Sequence, residues 1–312
     1  MIVVCGEALF DMFCEGETAG AVALSARIGG SPFNLAVGLA RLGARPLFFG
    51  GLSTDMFGRK LAAALEREGV ATGAAPRTPA PTALVCVDVD AAGAPAYTLY
   101  GSGTAERALT AADLERVPLD AAAIHVGSYC MAVEPVATAL RTLVADRHGK
   151  CLIAFDPNVR LTIQPDRAAW TGAVAWMLPR TDLLKISDED LGLLYPDMDP
   201  RAFIDLALRA GVALVVVTRG GDGVLAATRA TGQVALPALA VDVVDTVGAG
   251  DTFQAALLSY LQRRGLLTRA ALGALDAAAL RAALHFAGTA AAITCSRRGA
   301  DLPRLEEVQA QE

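Results

Sequence analysis

The sequence has little from which to build a metal centre, a disulfide framework or a nucleic-acid surface. Three histidines in 312 residues, none at metal-ligand spacing, argue against a zinc site. The six cysteines include no CxxC pair and no regular framework. They are read as reduced, mostly buried thiols of a cytoplasmic protein. Lysine plus arginine (27) falls short of aspartate plus glutamate (33), a formal net charge of −6. That balance argues against nucleic acid as a partner, because neutralising phosphates needs a basic face. It leaves an anionic ligand open, since clustered N–H groups bind phosphate on an acidic protein. No apolar run reaches the roughly 18–20 residues of a membrane span, so no membrane partner is expected. Residues Met1 to Phe10 are apolar but lack a basic start and contain Gly6 and Glu7, so they read as a strand rather than a signal peptide.

What the chain does have is apolar content. At 54% hydrophobic and 19% charged residues it is too apolar for disorder, and its length suits one large α/β domain or two ordinary ones. Short β-rich runs alternate with longer helical stretches, the pattern of a mostly parallel sheet covered on both faces. Strands are predicted at Ile2–Cys5, Leu47–Gly50, Ala123–Val126, Leu152–Phe155, Leu183–Ile186 and Leu214–Thr218. Each is nearly continuous in apolar residues, as a strand buried on both faces should be. Helices are predicted at Asn34–Leu42, Arg59–Glu68, Glu134–Arg147, Pro200–Arg209, Thr252–Arg263 and Asp276–Thr294. One stretch breaks the rhythm. Thr82–Asp90 and Ala96–Tyr100 flank Ala91–Ala92–Gly93–Ala94 and read as an antiparallel hairpin, with Val22–Ile28 as a further strand beside it. Such a flap is expected to serve as a lid or a dimer contact.

Two segments carry chemistry. Asp245-Thr246-Val247-Gly248-Ala249-Gly250-Asp251-Thr252 leads straight into an apolar helix. Its glycines let the backbone approach a ligand, and the helix start presents unpaired N–H groups and the positive end of its dipole. Such a nest suits the negative charge of phosphoryl transfer, with Asp251 at its mouth placed to take a proton. The plain alternative is a turn in which Asp251 caps the helix. The second segment, Gly29-Gly30-Ser31-Pro32-Phe33-Asn34, also opens a helix, and Asn34 offers the donor and acceptor that suit a sugar hydroxyl.

Together these segments resemble the ribokinase-like carbohydrate kinases, the PfkB family, over nearly the whole chain. The resemblance runs from Gly6-Glu7-Ala8-Leu9-Phe10-Asp11 through Gly29-Gly30 with Asn34 to Phe155-Asp156-Pro157-Asn158-Val159-Arg160. It continues through Lys185-Ile186-Ser187-Asp188-Glu189-Asp190, Thr218-Arg219-Gly220-Gly221-Asp222-Gly223, the DTVGAGDTF segment and the tail Ile293 to Asp301. The wording at 155–160 and 185–190 looks most like the fructokinase branch.

The resemblance implies a three-layer α/β/α sandwich. It would form one kinase domain over 1–312, with lid segments at about 12–28 and 82–104. It implies that Asp11, Gly29, Gly30 and Asn34 hold the sugar. Asp251 would be the catalytic base, with Gly248 in the loop and the amides of Ala249, Gly250 and Asp251 as the anion hole. Thr218, Gly220 and Gly223 would line the ATP phosphates and ribose, and Gly288 the adenine. Asp190 would hold magnesium through water, beside Ser187. Asp245, the Val247 main chain and Gly299 match a monovalent-cation site, which would take K⁺. Arg160 is open between a catalytic contact and a structural ion pair. Lys185 is open between a nucleotide contact and a surface residue at a strand end. Gly101 stands where many relatives carry a carboxylate-clamping arginine, which disfavours an acid sugar.

The expected activity is transfer of the γ-phosphoryl group of ATP to a primary hydroxyl of a neutral sugar, fructose first. The alternatives are 2-keto-3-deoxygluconate, ribose or a nucleoside as acceptor, or a sugar-binding protein without catalysis. A homodimer through the lid is also expected.

Overall fold

The computed structural model describes residues 1–89 and 95–311. In chain order the strands are β1 (Ile2–Cys5), β2 (Leu9–Thr18), β3 (Ala21–Gly29), β4 (Pro46–Phe49), β5 (Leu52–Ser53), β6 (Arg77–Thr78), β7 (Leu84–Val89), β8 (Pro95–Tyr100), β9 (Ala123–Gly127), β10 (Leu152–Asp156), β11 (Leu183–Ser187), β12 (Leu214–Thr218), β13 (Val224–Thr228) and β14 (Gly232–Leu236). The helices are α1 (Ser31–Arg41), α2 (Met56–Arg67), α3 (Val136–Arg147), α4 (Arg167–Met177), α5 (Asp188–Leu194), α6 (Pro200–Ala210), α7 (Ala249–Arg263), α8 (Arg269–Gly273), α9 (Ala277–Cys295) and α10 (Leu305–Gln309).

The eight-stranded sheet has the order β14-β13-β12-β11-β10-β9-β1-β4. It is parallel from β4 to β12, and the β13–β14 hairpin extends it antiparallel. Because side chains alternate along a strand, each central strand feeds two cores. Val4, Ala154 and Val216 pack with Leu35 of α1, Leu257 of α7 and Leu284 of α9. Val3, Ile153 and Val215 pack with Leu140 of α3, Trp170 of α4 and Phe203 of α6. This is the expected three-layer sandwich with a mostly parallel sheet. The C-terminal ends of the parallel strands lie along one edge, where α/β sheets bind ligands.

Three helices begin three residues earlier than the sequence pattern predicts, α2 at Met56 rather than Arg59 among them, and the shifts of α1 and α7 matter for the site. α1 begins at Ser31 rather than Asn34, because Gly30 takes φ +105° as the N-cap and Pro32 fits the first turn. α7 begins at Ala249 rather than Thr252, because Gly248 takes φ +80° as the N-cap. Gly250 and Asp251 therefore lie within the first turn of α7. The apolarity reading is amended at one place. α9 has 19 residues at a mean hydropathy of 1.2, long and apolar enough for a span by composition. Here it is a core helix packed on α7, with Phe286 5.4 Å from Tyr260 between ring centroids.

The predicted hairpin is present as β7 and β8, paired antiparallel. Its expected turn at Ala91–Ala94 lies outside the described residues. These strands join β2 and β3 in a second sheet of order β3-β2-β7-β8. Asp11 of β2 is opposite Val85 of β7, which is opposite Leu99 of β8. The last residues of β3, at one edge of this sheet, run directly into α1.

Candidate active site

Asp251 stands where the N-termini of α1 and α7 meet. Ser31 Oγ donates to its Oδ1 at 2.6 Å and Asn34 Nδ2 donates to its Oδ2 at 2.9 Å. The reading of Asp251 as a mere helix cap therefore fails, because the N-cap is Gly248 and both carboxylate oxygens are engaged by α1. Burial raises the Asp251 carboxyl above the ordinary aspartate range, against the opposing effects of Ser31, Asn34 and Lys185. Ser31 was not singled out by the sequence, although it lies between two assigned residues in the GGSPFN segment. Asn34, assigned to a sugar hydroxyl, spends its amide on Asp251 and keeps its carbonyl oxygen for another partner.

Beside the carboxylate, the amides of Gly250 and Asp251 have no protein acceptor among the described residues. The Ala249 amide is shared with Thr246 O at 3.2 Å. Two free donors, the helix dipole and a fixed carboxylate thus converge at one point.

Beneath this loop the sheet carries a buried ion pair. Lys185 Nζ lies 2.9 Å from Asp156 Oδ2, with both side chains at 4% exposure or less. A Cβ placed on Gly250 would come within 3.1 Å of the same Nζ, so the ammonium underlies the first turn of α7. The surface reading of Lys185 is thereby overturned. Burial pulls the ammonium pKa down, but Asp156, Asp190 and Asp251 outweigh it and hold it above the usual lysine value. Asp190 is 6% exposed, and its Oδ1 accepts from the Val159 amide at 2.9 Å. Burial, then Asp156, push its carboxyl up against Lys185, Ser187 and Arg160. Ser187 Oγ accepts from the Asp190 amide at 3.0 Å as the N-cap of α5. Asp156 Oδ1 is buried without a partner among the described residues. His125, one row deeper in the sheet, is also unpartnered at both ring nitrogens, and burial with the Lys185 charge lowers it to about 3. It is neutral at physiological pH.

On the other side of Asp251 stand the residues assigned to the sugar. Asp11 Oδ2 lies against Gly29, where an added Cβ would sit 2.2 Å away, so no other residue fits there unless Asp11 moves. Burial raises the Asp11 carboxyl to about 6, against the pull of Arg160. Arg160 is exposed and donates to its own Val159 carbonyl at 2.8 Å. It acts electrostatically on both Asp11 and Asp190, and among the described residues it makes no direct ion pair.

The residues assigned to the nucleotide lie along the same edge of the sheet. Thr218 ends β12, and Gly220 and Gly223 form the tight turn into β13. A Cβ on Gly223 would meet Leu236 O at 2.1 Å, so this turn packs backbone against backbone. Gly288 is half-buried in α9; His285, Thr289 and Ala292 of the same helix line, with Leu239 to Val241, a cleft of about 210 Å³ whose lining does not include Gly288. Asp245, Val247 and Gly299 come together. Asp245 Oδ1 accepts from the Val247 amide at 3.0 Å and Oδ2 from the Gly299 amide at 2.8 Å.

Comparisons with known proteins bear on the fold and the family. The profile of the pfkB family carbohydrate kinases matches residues 1–307. A fructokinase of Rhizobium leguminosarum bv. trifolii is 36% identical over 281 residues, covering 90% of this chain and 86% of that protein. The crystal structure of a fructokinase with bound ATP from Xylella fastidiosa superposes with a TM-score of 0.88 at 28% identity, covering 99% of this chain and 97% of that one. A fructokinase of Vibrio cholerae O395 with fructose, ADP and calcium ion bound superposes with a TM-score of 0.81 at 28% identity, covering 99% and 97%. A match this long, on a ribokinase-like sandwich with an acid fixed beside unpaired helix-start amides, settles the class: the chain belongs to the pfkB family of carbohydrate kinases.

Proposed function

We propose that this carbohydrate kinase transfers the γ-phosphoryl group of ATP to the C6 hydroxyl of fructose. The observation that carries the reading is Asp251, fixed by Ser31 and Asn34 beside the free amides of Gly250 and Asp251. The similar fructokinases, with ATP in one structure and fructose with ADP in another, support the choice of substrates.

In this reading the sugar lies between Asp11, Gly29 and Gly30 on one side and Asp251 on the other. Asp251 takes the proton of the acceptor hydroxyl as that oxygen attacks the γ-phosphorus. The bond from phosphorus to the bridging oxygen of ADP breaks in line. The amides of Gly250 and Asp251, with a share from Ala249 in the loop after Gly248, face the charge on the transferring oxygens. Lys185 adds a fixed positive charge beneath them. Arg160 approaches the phosphoryl group from the open side. Thr218, Gly220 and Gly223 cradle the donor phosphates and ribose, and the cleft beside Gly288 takes the adenine.

Asp190, Asp156 and Ser187 fit a magnesium ion held through water. Two neighbouring buried carboxylates share one lysine, and Asp156 Oδ1 lacks a partner among the described residues. Such an ion would neutralise β- and γ-phosphate charge. Asp245, the Val247 carbonyl and Gly299 would hold a potassium ion at the loop's far side. The whole chain acts as one kinase domain at residues 1–312. The segments at about 12–28 and 82–104 form a lid that excludes water from the site. This sheet exposes Val22, Leu24, Tyr97 and Tyr100, which we assign to contact with a second copy in a cytoplasmic homodimer. Sedimentation at micromolar concentration should give a dimer, and a monomer would remove that assignment.

The direct test is phosphorylation of a panel comprising fructose, ribose, 2-keto-3-deoxygluconate and nucleosides. Fructose should show the highest kcat/KM, with fructose 6-phosphate as product. Sugar binding without turnover, or a better acceptor elsewhere in the panel, contradicts the reading. Asp251→Asn should keep the fold and sugar binding but lower kcat by ~10²–10⁴-fold. Retention of a tenth of wild-type turnover would show that Asp251 is not the base.

The acid limb of the pH profile follows from the raised carboxyls. Asp251 and Asp11 serve only when ionised, and Asp11 takes its proton at about 6. Thus kcat/KM for the sugar should be level above neutrality and fall as pH drops through that value. A profile flat down to pH ~5 would contradict this, because an ordinary aspartate is still ionised there and a raised one is not.

A further inference from the structure

The turn that follows the four-stranded sheet carries an arginine used by none of the contacts above. Arg107 ends the 3₁₀ turn Ala105–Arg107. Its side chain is 20% exposed, with Nε 3.7 Å from Glu106 Oε1 and the guanidinium 5.9 Å from the Tyr129 ring centroid. Among the described residues neither Nη has a protein acceptor. A Cβ on Gly101 would lie 3.2 Å from Nη2, so the fork rests directly against the Gly101 backbone. Nε is buried without a hydrogen-bond partner among the described residues, whereas the two Nη atoms remain accessible and keep open donors for oxygen atoms of a ligand.

The sheet register says what kind of ligand could do so. Asp11, Val85 and Leu99 oppose one another across β2, β7 and β8, so their side chains share one face. At the β3 edge of this sheet the chain enters α1, whose Ser31 and Asn34 hold Asp251. The β8 edge ends at Gly101 and the Arg107 fork. Two strand spacings, roughly 10 Å, separate Asp11 from β8. The sheet face that carries Asp11 thus runs across β7 and β8 to the Arg107 fork.

The surroundings also select for charge. Glu106 and Glu7 are 1% and 2% exposed, and Glu106 Oε2 has no partner among the described residues. A ligand carboxylate there would meet two buried acids, whereas a hydroxyl can accept from the fork without adding charge.

We propose that Arg107 is a specificity-determining residue that grips the end of a neutral ketose remote from the phosphorylated hydroxyl. The proposal rests on the fructose 6-phosphorylation reading above. It also accounts for Gly101. A side chain at that position would meet Leu99 Cγ and Cδ2 at 2.8 Å and push on the fork, so the positive charge arrives from position 107 instead.

The test is a cycle pairing Arg107→Met with fructose and 1-deoxyfructose, which lacks the hydroxyl at the remote end. In the wild type, loss of that hydroxyl should raise the sugar KM at least tenfold. Arg107→Met should raise the fructose KM by a similar factor, with KM for ATP unchanged and kcat within about threefold. The two losses should not add, so the variant should treat both sugars alike. A purely structural role for Arg107 gives additive losses and overturns the proposal. Should Arg107→Met fail to fold, Arg107→Lys, which keeps the charge and loses the fork, should raise the fructose KM and weaken the same coupling. Full coupling in that variant also overturns it. Preference of the wild type for 2-keto-3-deoxygluconate, abolished by Arg107→Met, would make Arg107 a carboxylate clamp and overturn the neutral class. Absence of turnover on every sugar defeats the parent reading and this proposal with it. Turnover of fructose with unchanged KM in the variant defeats Arg107 alone.

Discussion

The site depends on one junction, the hydrogen bonds from Ser31 and Asn34 to the two carboxylate oxygens of Asp251. Residues separated by more than 200 positions are joined there, and each sits in the first turn of its own helix. Two helix starts aimed at one point supply a positive environment that favours a carboxylate and any anion beside it. The early starts of α1 and α7 are what make this possible. Had α7 begun at Thr252, Asp251 would precede the helix and could not face α1 while its neighbouring amides stayed open.

Charge beneath the junction is balanced within narrow limits. Lys185 is the positive partner of Asp156, yet its field also reaches Asp190 and Asp251. Burial alone lowers its pKa, and the acids around it raise it. Asp190 and Asp251 in turn are raised by burial and by the charge of Asp156, which leaves the cluster suited to a further cation at its open side. The neutral His125 completes the floor of this layer without adding charge. The same logic operates at the sugar end, where Asp11 is half-buried against Gly29 and the charge of Arg160 favours its ionised form.

The central strands were legible because burial on both faces leaves an unmistakable apolar run, as in Leu214–Thr218, found with the same limits. The β13–β14 hairpin was not placed. Val224–Thr228 ends in two alanines and a threonine, and β14 is a half-exposed edge with a mixed pattern. α4 lacks a clear polar face, and the three acids that open α5 read as a ligand motif rather than a helix start. At the site, glycine-rich loops before apolar helices marked the chemistry, and the family resemblance assigned the acids. Ser31 escaped notice because its partner lies 220 residues away, and no local pattern encodes such a contact. Lys185 could not be resolved from sequence, because a lysine at a strand end is usually exposed. Its burial depends on Asp156 in the neighbouring strand.

The central claim is that Asp251 and the amides beside it face the reacting atoms. A crystal structure with fructose and a non-hydrolysable ATP analogue tests this most directly. The C6 hydroxyl should lie within ~2.6–3.2 Å of an Asp251 carboxylate oxygen, with the Gly250 and Asp251 amides directed at the γ-phosphate oxygens. A well-ordered sugar that turns a different hydroxyl toward Asp251, or a γ-phosphate bound away from the α7 start, would contradict the account.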